Sequence, residues 1–167
     1  MNSAKTVTQT WQRMSAMPED QAQHIVEQMS KEQPFIVAYL LAMSEQPPFD
    51  DHEGQIFFYV GMVVWQIMRQ SPKRLRKVTP TKLERAEKAN EQFLEMLASD
   101  TEADFFSATK TMLENYPEPE VLGYVIETLM DEEDYDPDDP PIRDENRGLA
   151  FLHLKIVLDA FISIIDR

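Results

Sequence analysis

Four carboxylates in the last third of the chain, Asp134, Asp136, Asp138 and Glu145, stand at positions one, three, five and twelve of a twelve-residue segment between two predicted helices. Hard oxygen ligands at that spacing can surround a hard cation, as in helix–loop–helix calcium sites. The turn chemistry departs from that pattern. The sixth position is Asp139 rather than glycine, and Pro137, Pro140 and Pro141 stiffen the segment and remove amide donors. The competing reading is a solvated acidic loop whose neighbouring carboxylates repel. A divalent cation is the one cofactor the sequence raises.

The three histidines are His24, His52 and His153, and none lies in a Glu-x-x-His or His-x-x-x-His pattern. A helical di-metal carboxylate centre therefore has no support. His52 adjoins Asp50, Asp51 and Glu53, where a pH-sensitive or metal role competes with that of an exposed histidine near a helix start. Tyr39 and Tyr124 recur in similar surroundings, PFIVAYLL and PEVLGYVI. They are candidates for a pocket with two hydroxyls, or else buried rings whose hydroxyls reach backbone carbonyls. No serine sits in a nucleophile elbow, and the paired carboxylates fall in acidic runs that do not promise burial. No residue is assigned a catalytic role, and the chain is expected to act by binding rather than by catalysis.

These residues must be positioned by helices. Four glycines, no cysteine and no alternating β-branched runs point to an all-α fold. Without cysteine there are no disulfides and no thiolate metal sites, which fits a cytoplasmic setting. The longest apolar run, which begins at Ile56 and contains Gly61, falls well short of the roughly 20 residues of a membrane span. The net charge is −14, and residues 81–167 hold eight basic and twenty-two acidic side chains. Such a field repels nucleic acid and anionic lipid and attracts a protein partner with a basic surface.

About eight helices are expected. The fourth, opening at Asp50 or Asp51 and running to Met68, is apolar on nearly every side and should be central, with Gly61 at a close crossing. The fifth opens at Thr79-Pro80 or at Thr81, with Glu84 spaced for a capping box with Thr81, and carries Leu83, Ala86, Asn90, Phe93, Leu94 and Leu97 on one stripe. Between them, SPKRLRKVTP at 71–80 is a basic, proline-flanked linker, suited to an anion or to lying across an acidic surface.

The echo between PFIVAYLL and PEVLGYVI extends further. Pro34 and Tyr39 match Pro119 and Tyr124 at an offset of 85, and Gly54, Phe57 and Val63 match Gly148, Phe151 and Val157 at 94. Trp11, Met14 and Ala16 match Phe93, Met96 and Ala98 at 82. Two similar four-helix units, 1–70 and 81–167, are therefore expected to pack about a shared core as an internal pseudo-two-fold duplication. The offset grows by nine across 131–139, an insertion in which seven of nine side chains are acidic. The expected function is that of a binding, adaptor or chaperone-like protein whose acidic surface engages a basic partner. The alternatives are a calcium-like regulatory site over 134–145 and a small-molecule binder or enzyme with a pocket between the repeats. Nothing in the sequence fixes the oligomeric state.

Overall fold

Two helices that are apolar on most sides must be wrapped by the rest of the chain, and the computed structural model places both at the centre. It describes residues 1–99, 102–130 and 137–165, and the side chains of all of these except 96–99 and 102–106. The elements are α1 (Ala4–Ser15), α2 (Glu19–Glu32), α3 (Pro34–Ser44), α4 (Asp51–Met68), α5 (Pro80–Ala89), α6 (Glu91–Ser99), α7 (Glu102–Asn115), α8 (Pro119–Met130) and α9 (Asp144–Ile164). Among the described residues the fold is all-helical, with one isolated antiparallel bridge joining Leu75 to Ile165. No helix among them is long and apolar enough to cross a membrane.

The central pair is α4 and α9, which pack on each other. Phe57, Val60, Val63 and Trp65 of the first are fully buried, as are Ala150, Phe151, Val157 and Phe161 of the second. Helix α3 lies along α4, and α8 lies along α9. Further out, α1 covers α4 while α5 and α6 cover α9; α2 rests on α3, and α7 on α8. The buried side chains of both halves form one continuous core.

The expected close crossing occurs at Gly61. A Cβ there would stand 2.8 and 2.9 Å from the two terminal methyls of Leu40 on α3. Gly54 is more restrictive, because a Cβ would run into the backbone carbonyl of Ser44. The turn before α4 is held by Asp50, whose side chain accepts from the Glu53 amide at 2.8 Å while Glu53 accepts from the Asp50 amide at 3.1 Å. That reciprocal pair satisfies two amides that the first helical turn leaves unpaired.

Among the described residues nine helices are found where about eight were expected, because the stripe from Leu83 to Leu97 breaks at Asn90. There the backbone leaves helical geometry (φ −104°, ψ 6°). The Asn90 amide group bonds back to the Ala86 carbonyl at 2.7 Å and across to Asp159 of α9 at 2.9 Å. An asparagine that bonds local backbone competes with the helical ladder. Of the two expected starts of α5 the structure shows the first, Thr79-Pro80: Thr79 caps the helix by accepting from the Lys82 amide at 3.2 Å.

The segment from 71 to 80 is strapped down. Gln33, itself buried, donates to the Arg76 carbonyl at 2.8 Å and accepts from the Val78 amide at 2.9 Å. Val78 is fully buried, and Leu75 pairs with Ile165 beyond α9. The expected lie across an acidic surface is not seen for Lys73, Arg74 and Lys77. All three are exposed, and none has a carboxylate within ion-pair distance among the described residues.

Candidate functional site

Where α4 and α9 begin, one buried carboxylate serves both helices. Glu53 is 2% exposed. Besides the Asp50 amide, it accepts from the Arg143 amide at 2.9 Å, the Arg143 guanidinium at 2.8 and 3.3 Å, and the Asn146 side chain at 3.0 and 3.1 Å. Burial by itself would raise its pKa. The bonds from Arg143, the Asp50 amide and Asn146 outweigh that and hold it down at about 2. A fixed negative charge here also suits the positive ends of both helix dipoles.

Around this buried anchor the surface is acidic. Asp50, Asp51, Asp138, Asp139, Asp144 and Glu145 are all exposed. The neighbouring cations are engaged internally. Arg143 is bound to Glu53, and Arg147 donates to the Ile142 carbonyl at 3.1 Å and pairs with Asp144 at 2.8 Å. His52 Nε2 donates to the Pro140 carbonyl at 2.9 Å and lies 3.1 Å from Asp139. These contacts tether the chain just after the acidic insertion to the start of α4. An open cleft of about 550 Å³, lined from Pro140 to Glu145 and by Arg147, runs along this end.

Of the four expected ion ligands, Asp134 and Asp136 lie outside the described residues. Asp138 is exposed, and Glu145 sits in the first turn of α9 with its carboxylate 3.5 Å from Arg143. Among the described residues, no group of three or more His, Asp or Glu side chains is arranged to hold a metal ion. His24 is exposed, 3.9 Å from Glu27. His153 is paired with Tyr39, whose hydroxyl lies 2.8 Å from Nδ1. Burial keeps both partners neutral, pushing Tyr39 well above the usual phenol range and His153 down to about 4. Tyr124 lies elsewhere, on α8; burial, and then the nearby Tyr59 of α4, raise its pKa. The two tyrosines thus have different partners, His153 for Tyr39 and Tyr59 beside Tyr124.

A second polar cluster escaped the sequence reading. Lys155 of α9, 8% exposed, donates to Asn90 at 2.7 Å and to Asp159 at 2.7 Å. Its ammonium also faces the rings of Phe93 and Tyr116, 5.4 and 5.7 Å from their centres. The Tyr116 hydroxyl donates to the other oxygen of Asp159. Every charge in the cluster is answered, which is what burial of an ion pair requires. The spacing of Lys155 and Asp159, one helical turn apart on a mostly apolar helix, was the readable signal. Compared with models of protein families, with curated proteins and with solved structures, the chain shows no match.

Proposed function

We propose that the chain is a non-catalytic binding protein, an adaptor or chaperone-like module of the cytoplasm, that offers the end where α4 and α9 begin to a basic protein partner. The observation carrying this reading is the set of six exposed carboxylates on the starts of α4 and α9 and the residues leading into them, which outnumber the neighbouring Arg143, Arg147 and His52 that pair with Glu145, Asp144 and Asp139. Net charge of −14 extends the same field over the molecule and favours encounter with cations. The test is binding of a lysine-rich peptide by titration calorimetry in rising salt. Affinity should fall steeply with ionic strength and be lost in an Asp51→Lys, Asp138→Lys, Glu145→Lys variant. Binding indifferent to salt and to that variant would refute the reading.

The frame that carries this end reads as a duplicated four-helix unit. Supporting this, neighbour relations recur: α3 on α4 and α8 on α9, α2 on α3 and α7 on α8, α1 on α4 and α6 on α9. The tyrosine contacts recur as well. Tyr39 meets His153, and Tyr124 neighbours Tyr59; the first pair maps onto the second by the offsets of 85 and 94. The calcium alternative keeps only its spacing as support, and a calcium titration that changes neither heat nor melting temperature would remove it.

A further inference from the structure

At the opposite end of α9 the charge pattern reverses. With 21 residues, α9 separates its two ends by roughly 30 Å. A cleft of about 380 Å³ lies between α5, the Tyr116–Pro117 corner and the last turn of α9. That volume falls within the range of small-molecule sites. Its apolar wall is Ala86, Ala89, Pro117 and Ile162, and Lys82 and Arg85 stand on its α5 side, three residues apart and therefore on one helix face. A second hollow of about 400 Å³ shares Pro117 and Ile162 with it and brings in Lys73.

The balance of partners distinguishes this cleft. Its one carboxylate is already engaged: Asp159 pairs with Lys155 and accepts from Asn90 and Tyr116, while Glu118 in the adjoining hollow lies 3.8 Å from the N-terminal ammonium and accepts from the Asn2 amide at 2.9 Å. Its cations are not. Lys82 and Arg85, and Lys73 in the adjoining hollow, have no carboxylate within ion-pair distance among the described residues. Two cations without a carboxylate partner thus stand on one side of an apolar hollow, and a third stands in the hollow beside it. The planar fork of Arg85 suits a carboxylate, and Lys82 adds a second positive charge beside it.

We infer that this cleft binds a small organic carboxylate with a short apolar body, its anion held by Lys82 and Arg85 and its chain laid against Ala86, Ala89, Pro117 and Ile162. The site is independent of the acidic end of the molecule. Octanoate is the probe, titrated at constant ionic strength while backbone amide NMR shifts are followed, with octanol and acetate as controls. Saturable shifts confined to α5, residues 116–118 and the end of α9 are expected for octanoate only. A Lys82→Glu, Arg85→Glu variant, with both changes at the protein surface, should weaken binding about tenfold or more. Ala89→Phe should block the cleft and weaken binding without altering charge. Equal binding of octanol, equal binding of acetate, shifts elsewhere, or no saturation would each overturn the inference, provided the variants keep the parent's dispersed spectrum.

Discussion

At the scale of single residues, Glu53 is the group on which most depends. Its carboxyl titrates near 4.5 when unfolded and about 2 when folded, a lowered value. The stabilisation it supplies is therefore fully present above pH 4.5 and is lost as pH falls toward 2, amounting to about 3 kcal/mol. Glu53→Ala should lower stability by a similar amount at neutral pH and remove that acid-dependent step, as urea unfolding across the pH range would show. His153 acts at higher pH. Folding lowers it from 6.5 to about 4, so the unfolded chain binds the proton more readily. Melting temperature should fall as pH drops from 6.5 to 4, and His153→Gln should flatten that slope. The glycines make a sharper contrast. Gly54→Ala meets the Ser44 carbonyl and should cost about 1–3 kcal/mol. Gly123→Ala meets nothing within 4 Å and should stabilise α8 by about 0.5–1 kcal/mol. Chemical denaturation of both variants would check the opposite signs.

At the scale of elements, the break between α5 and α6 shows where periodicity loses its power. Leu83, Ala86, Phe93 and Leu94 keep helical spacing straight through Asn90, so the sequence reads as one helix. What interrupts it is a side chain that bonds Ala86 behind it and Asp159 sixty-nine residues ahead, and a local pattern carries no information about the second. By contrast, the placement of α4 was readable, because an all-round apolar helix has only one place to go. So was Gly61, since a glycine inside such a helix marks a close neighbour. The strap from 71 to 80 looked like an ordinary linker from its prolines and charges, yet Gln33 holds its backbone at two points. Replacing Gln33 with Ala should speed hydrogen exchange at the Val78 amide by at least about tenfold while leaving the centre of α4 protected.

At the scale of the whole molecule, the shared core predicts how the protein unfolds. Since α4 and α9 bury their faces against each other, neither half can shed water from its central helix alone. The full chain should melt in one transition with matching calorimetric and van't Hoff enthalpies, and residues 1–70 alone should lack a cooperative transition. The acidic end was legible only in part. The excess of Asp and Glu could be counted, and Asp50 stood as one of two possible starts of α4. That Glu53 would seize Arg143 and Asn146, some ninety positions away, depends on the packing of two helices and is written in no local motif. The doubly used Glu53 bears on recognition too. Because one side chain locks the starts of two helices, neither can fray without disturbing the other, and the spacing of the carboxylates they carry is set before any encounter. On the reading proposed above, an approaching cationic surface would meet a pattern whose ordering entropy was spent during folding, and more of its interaction energy would survive as affinity.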